Sequence, residues 1–313
     1  MLVVWPSDRS YAFYERADSR RETDPLALKI FGKLMRQYHV LADGLAKPHL
    51  YFDRWQLTED GPPFHTKSSW FQPVQYRGES AILKIAMTME ECRGARLMVW
   101  WDGNGAARVL AQAEDALLLE HASGLQSLLE MVRGGQDDEA SRIICHVAAR
   151  LHARRATPSP DLMPLSSWFE ALASAAKVYG GIFGSAASIA ARLLAAPQDI
   201  AVLHGDIHHG NILDAGPHGW LAIDPKGLAG ERGFDFANIF CNPDFSVATS
   251  PGRLARQVEI ITEAACLDRH RLLAWIASWA ALSAAWHIED GEKPHTALAI
   301  AEIALNELRG SGF

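Results

Sequence analysis

The sequence predicts an α+β protein of two lobes, a small antiparallel sheet followed by a larger, mainly helical part, and three observations carry that expectation. Between Trp55 and Ile85, short segments rich in Trp, Phe, Val and Ile alternate with the turn signals Asp60-Gly61-Pro62-Pro63 and Arg77-Gly78-Glu79. Beyond His121-Ala122-Ser123-Gly124 the apolar spacing becomes helical almost to the end. With 313 residues, the chain is long enough to build two cores.

Taken in order, residues 1–45 differ from the rest: an arginine-rich start leads to Asp24-Pro25 and a possible helix over Leu26 to Leu45, read as an N-terminal extension or accessory helix, with Met35 as an alternative start. The meander from Trp55 to Ile85 precedes a helix over about Met89 to Trp101 and strands at Ala107 to Leu110 and Ala116 to Glu120. A hinge is expected near Glu120 to Gly124, which sets lobes at 46–120 and 121–313. Asp137 to Arg154 then places Ile144, Val147, Ala148 and Leu151 on one face, and Ser167-x-x-Glu170 reads as a capping box opening a helix to about Val178. Short strands at Ile200 to Leu203 and Trp220 to Ile223 interrupt the helices, which resume at Arg253 to Cys266, Arg269 to Ile288 and Pro294 to Arg309.

Composition narrows the function. The net charge of -7 is spread without acidic or basic blocks, which argues against a nucleic-acid partner. Cys92, Cys145, Cys241 and Cys266 are far apart and form no C-x-x-C pair, so a reducing cytoplasm fits better than a disulfide framework. Pro6 breaks the short apolar start, which has no long apolar core of a signal peptide. The longest uncharged stretch, Leu272 to Trp286, is short for a membrane span and reads as a buried helix. Oligomeric state is not legible in the sequence.

Chemistry concentrates in His204-Gly205-Asp206-Ile207-His208-His209-Gly210-Asn211 and in Asp224-Pro225 at the end of the next strand. Asp206 and Asn211 share a tight loop, and Asp224 can join them, so three oxygen-bearing side chains can converge. Phosphoryl transfer asks for such a group: Mg2+ prefers carboxylate, amide and water oxygens, while one carboxylate must stay off the metal to orient the attacking hydroxyl. Three histidines within six residues also suggest zinc, but the intervening Asp206 speaks against it.

The loop matches the pattern H-G-D-x-H-x-x-N, and Ile223-Asp224-Pro225 matches I-D-x; with Asp53-Arg54-Trp55, Ala81-Ile82-Leu83-Lys84, Trp100-Trp101-Asp102-Gly103, Leu117-Leu118-Leu119-Glu120 and Leu282-Ser283-Ala284-Ala285-Trp286, the chain resembles the aminoglycoside phosphotransferase family of the protein-kinase-like fold. Within it the resemblance is to the streptomycin 6-kinase and hydroxyurea phosphotransferase group, from about residue 50 to the C-terminus. The resemblance implies a nucleotide-binding N-lobe, a catalytic and acceptor-binding C-lobe, and ATP with Mg2+ as cofactors. Asp206 becomes the catalytic carboxylate, Asn211 and Asp224 the metal ligands, and Lys84 the partner of the ATP phosphates. Glu120, His121 and Ala122 would offer hinge backbone to adenine, and His208 would contact the transferred phosphate. Asp235 would brace the catalytic loop backbone.

The chain also departs from the family. No glycine-rich G-x-G-x-x-G loop is present, which leaves the turn at Thr66 to Ser69 to cover the phosphates. The helix glutamate that should pair with Lys84 falls on Gly94; the alternatives are that Glu90 or Glu91, about one turn earlier, substitutes for it or that the pair is absent. The expected function is phosphorylation of a hydroxyl on an aminoglycoside such as streptomycin; the alternatives are a kinase for another small polar metabolite or hydroxyurea, and a nucleotide-binding pseudokinase. For a cationic acceptor, Glu231, Asp244, Glu289 and Asp290 are the candidate carboxylates.

Overall fold

The structure is a computed structural model that describes residues 48–310. The helix expected over Leu26 to Leu45 lies outside the described residues. The described residues divide into two compact units: the first holds Pro48–Cys92 together with Ala111–Leu119, and the second holds Arg93–Leu110 and Glu120–Gly310.

The first unit opens with helix α1 (Pro48–Trp55) and builds a sheet from β1 (Thr58–Glu59), β2 (Phe64–His65), β3 (Ser69–Tyr76), β4 (Glu79–Ala86), β5 (Val109–Gln112, whose first residues belong to the second unit) and β6 (Ala116–Glu120). Strand order is β1-β3-β4-β6-β5, with β2 also on β3. Arg77 and Gly78 join β3 to β4, both at positive φ, as a two-residue type I′ hairpin requires. β4 lies between two neighbours and is buried on both faces from Ala81 to Ala86, which explains its nearly unbroken apolar run. Lys84 is the one charge in that run, paired in register with Phe71.

Helix α2 (Met89–Trp101) begins in the first unit and continues into the second. The second unit follows with α3 (Leu128–Arg133), α4 (Asp137–His152), β7 (Met163–Pro164), α5 (Leu165–Trp168), α6 (Glu170–Tyr179) and α7 (Gly181–Ala195). The Ser167 capping box does not form: α6 is capped by Phe169, without a side-chain hydrogen bond. Phe169 is buried and packs on Phe234 and Trp275, so the chain breaks where an aromatic anchor is needed rather than where a hydroxyl could cap.

β8 (Ile200–Leu203) leads into the loop 204–211, and β9 (Ile212–Asp214) and β10 (Trp220–Ala222) form a short antiparallel ladder. β11 (Leu228–Glu231) returns between β8 and β7. A 3-10 segment, Arg232–Cys241, precedes α8 (Phe245–Ala248), α9 (Arg253–Ala265), α10 (Arg269–Glu289) and α11 (His295–Gly310). α10 is buried almost continuously from Leu272 to Ala285 and packs against α11, α7 and the 3-10 segment, as its uncharged sequence predicts. No helix of the described residues is long and apolar enough to cross a membrane.

Candidate active site

In the first unit, the Lys84 ammonium lies 2.5 Å from Glu91 Oε2, and both side chains are buried. Of the two acids the sequence offers, Glu90 and Glu91, it is therefore Glu91 that supplies the carboxylate. Gly94 could not have supplied it: a Cβ there would stand 2.0 Å from the Pro225 carbonyl oxygen, so the helix has to be bare where it meets that turn. The Glu91 carboxylate also accepts from Ser68 Oγ at 2.9 Å. Thr66 Oγ1 in turn accepts the N–H groups of Ser68 and Ser69, so the turn expected to cover phosphates is fastened to the buried pair.

In the second unit, loop 204–211 is held from below by Asp235. This carboxylate accepts the N–H of His204 at 2.9 Å and of Gly205 at 2.7 Å, and faces His152 Nε2 at 2.7 Å. His204 is wholly buried; its Nε2 donates to Ile223 O at 2.8 Å and its Nδ1 accepts from the Asp206 N–H at 3.2 Å. Burial holds its pKa below the ordinary value, outweighing the pull of Asp235 and Asp206, so the neutral ring is locked in one tautomer. Gly205 allows the sharp turn: its φ is +88°, and a Cβ there would meet Leu228 at 2.9 Å.

These supports present Asp206, whose side chain is 28% exposed. One oxygen accepts from Asn238 Nδ2 at 2.7 Å, and the other lies 3.3 Å from Asn211 Nδ2 and 4.0 Å from Lys226 Nζ. Asn211 also donates to the Asp206 carbonyl at 3.0 Å, which leaves its own Oδ1 as an acceptor for a cation. Asp224 stands at φ +63° just past β10, a left-handed conformation that aspartate tolerates better than most residues. Its Oδ2 is 3.3 Å from Lys226 Nζ. Asp206, Asn211 and Asp224 are thus gathered by one loop and one strand end. Asn238 and Lys226 were missed by the sequence reading; Lys226 lies two residues beyond Asp224 and Asn238 three beyond Asp235, but neither position carries a pattern of its own.

The remaining expected residues divide. Glu120 closes β6; its carboxylate accepts the Arg108 N–H at 2.6 Å and pairs with His218 at 2.8 Å, while His121 and Ala122 run in irregular, half-buried backbone. His208 Nδ1 accepts the Gly210 N–H at 3.0 Å, folding the ring toward its own loop. Glu231 does not fit the acceptor role: it is 4% exposed, and its oxygens accept from Arg271, Trp275 Nε1 and the Gln198 N–H. Burial pushes its pKa up, but these donors outweigh that and hold it below the usual carboxylate range. Glu231 is a brace between β11 and α10. Asp244 caps α8 through the Val247 N–H at 3.1 Å, and Glu289 and Asp290 are exposed at the end of α10.

The donor set fits a divalent cation of the Mg2+ type. A carboxylate from Asp224 and an amide oxygen from Asn211 are hard ligands of the kind such an ion takes, and the Lys226 ammonium already lies against the Asp224 carboxylate. Asp206 grouped with Asn211 and Asp224 and, in the first unit, a buried Lys84–Glu91 pair on a central strand are the side chains a protein-kinase-like phosphotransferase calls for. The fold agrees: a thermostable aminoglycoside phosphotransferase variant crystallised with AMP-PNP and hygromycin B is similar at a TM-score of 0.60 with 13% identity, over 86% of this chain and 100% of that one.

The family described as aminoglycoside/hydroxyurea antibiotic resistance kinase matches residues 54–291, and the chain belongs to it. It is 49% identical over 261 residues to the streptomycin 3''-kinase of Klebsiella pneumoniae, covering 82% of this chain and 97% of that protein. It is 32% identical over 274 residues to the streptomycin 6-kinase of Streptomyces griseus, covering 82% of this chain and 85% of the relative.

Proposed function

We propose that this protein transfers the γ-phosphoryl group of ATP to a hydroxyl of streptomycin or a closely similar aminoglycoside. The observation that carries the reading is the placement of Asp206: it is exposed enough to meet an acceptor, fixed by Asn238 and Asn211, and grouped with Asp224. Asp206 orients the hydroxyl and receives its proton as the new O–P bond forms and the bond to the ADP leaving oxygen breaks. Asn211 and Asp224 hold Mg2+, which supplies charge neutralisation for the phosphates. Lys84, set by Glu91, holds nucleotide phosphates, and the backbone of Glu120 to Ala122 serves adenine. The second unit binds the acceptor, and the reaction belongs in the cytoplasm, where ATP is available.

The higher identity to a 3''-kinase than to a 6-kinase favours the 3''-hydroxyl as the point of attack. Asp244, Glu289 and Asp290 remain the carboxylates proposed for a cationic acceptor, since guanidinium groups pair with carboxylates through two parallel hydrogen bonds. The test is turnover of ATP against a panel containing streptomycin, other aminoglycosides, amino alcohols and hydroxyurea, with the phosphorylated position mapped by NMR. Streptomycin phosphorylated at one hydroxyl is expected. Turnover confined to neutral acceptors would overturn the substrate, and nucleotide binding without turnover of any acceptor would favour a pseudokinase.

A further inference from the structure

Lys226 has no assigned role in this chemistry, yet it occupies the centre of the site. Its backbone N–H donates to the His204 carbonyl at 2.7 Å, which ties its Cα to the start of the catalytic loop. Its side chain is only 14% exposed, and the ammonium lies 3.3 Å from Asp224 and 4.0 Å from Asp206. A long, hydrated cation ordinarily extends into water; here two partly exposed carboxylates draw it inward.

In the reaction proposed above, Asp206 faces the attacking hydroxyl and Asp224 faces the phosphates. The phosphoryl group in transit must therefore pass between these two carboxylates, and the Lys226 ammonium stands between the same two. His208, by contrast, spends Nδ1 on the Gly210 N–H of its own loop.

We propose that Lys226 is a catalytic residue that contacts the transferring γ-phosphoryl group. Its ammonium lies 3.3 Å from Asp224 and 4.0 Å from Asp206, within reach of a γ-phosphoryl group that passes between them, and in the reaction it turns to the γ-phosphoryl oxygens. It keeps its proton throughout and supplies charge alone, while the proton of the attacking hydroxyl goes to Asp206. The inference rests on the kinase reading and adds a cation to it.

The test compares wild type, Lys226→Met and Lys226→Arg by calorimetric binding of AMP-PNP and of ADP in the presence of Mg2+, together with steady-state turnover. A γ-phosphoryl contact predicts that Lys226→Met lowers the preference for AMP-PNP over ADP by about tenfold, one charge-assisted contact, with ADP affinity nearly unchanged. Its kcat should fall by about 10²- to 10³-fold with the acceptor KM little changed, and Lys226→Arg should restore most of the binding preference. A structural role would weaken both nucleotides alike, so an unchanged AMP-PNP to ADP ratio in Lys226→Met overturns the proposal. If that variant fails to fold, Lys226→Gln is read for the same ratio. Absence of turnover in the wild type would sink the kinase reading, but the binding ratio would still decide the Lys226 contact.

Discussion

Replacing Gly94 by alanine is the most discriminating perturbation of the fold that supports the site. The added Cβ would lie 2.0 Å from the Pro225 carbonyl oxygen and 3.1 Å from its carbon. Ordinary contacts are about 3.5 Å, so the carbonyl or the helix must retreat by roughly 1 Å or more. Overpacking of this kind costs about 1–3 kcal/mol, which at roughly 2–4 °C per kcal/mol for a unit of this size lowers Tm by several degrees. The effect on turnover should be larger than the effect on folding. Pro225 stands between Asp224 and Lys226, and a displacement of about 1 Å in reacting groups costs on the order of 10²-fold in rate. Gly184 in α7 is the control: a Cβ there meets nothing within 4 Å, and Gly184→Ala should stabilise by about 0.5–1 kcal/mol through helix propensity alone. Thermal unfolding and kcat on the two variants decide the matter. Gly94→Ala with unchanged Tm and unchanged kcat would refute the close approach and, with it, the reason Gly94 carries no carboxylate.

Glu91→Gln leaves the Lys84 ammonium buried without its carboxylate and should cost about 3–5 kcal/mol by thermal unfolding while raising the ATP KM; a stability equal to wild type would remove Glu91 as the partner. Asp224→Ala should impair Mg2+-dependent nucleotide binding, measured by calorimetry, more than Asn211→Ala does, because a carboxylate balances cation charge whereas an amide supplies only a dipole. Equal losses, or normal turnover by Asp224→Ala, would contradict the ligand assignment. Acid stability should follow His209, whose ring nitrogens have no hydrogen-bond partner among the described residues and whose pKa burial pushes from 6.5 down to about 3. Because the folded-state pKa is depressed, the stabilising contribution is present above the unfolded value of 6.5 and is lost as pH falls toward 3. Urea midpoints should therefore decline below pH 6.5, by up to about 1.4 kcal/mol per pH unit for this one group, and His209→Asn should flatten the decline.

The parts of the fold visible in the sequence are those dominated by local pattern. The apolar run around Lys84, the uncharged length of α10 and the loop from His204 to Asn211 each carry their signal within a few consecutive residues. Tertiary partners were harder to read. The sequence offers Glu90 and Glu91 as partners for Lys84, but only the placement of α2 against β4 selects Glu91, and the Gly94 position that breaks the pattern is explained by a carbonyl 131 positions away in sequence. Asn238 reaches Asp206 across 32 residues without any spacing rule that would announce it. Glu231 misled in the opposite direction: an acid near the site in sequence turned out to be consumed by Arg271 and Trp275. Helix α7 was not anticipated because Gly181 and Gly184 weaken its propensity, while its buried Phe183, Ala186, Ala190 and Leu193 supply the packing that overrides it.

The central claim is that Asp206 orients an aminoglycoside hydroxyl for phosphoryl transfer from ATP. The most direct measurement is steady-state phosphorylation of streptomycin by wild type and Asp206→Asn, with AMP-PNP affinity recorded on both. The amide nearly preserves volume and can still accept from Asn238, so folding and nucleotide affinity should hold while kcat falls by about 10²- to 10⁴-fold. Undiminished phosphorylation by Asp206→Asn would contradict the assignment of Asp206 and the mechanism built on it.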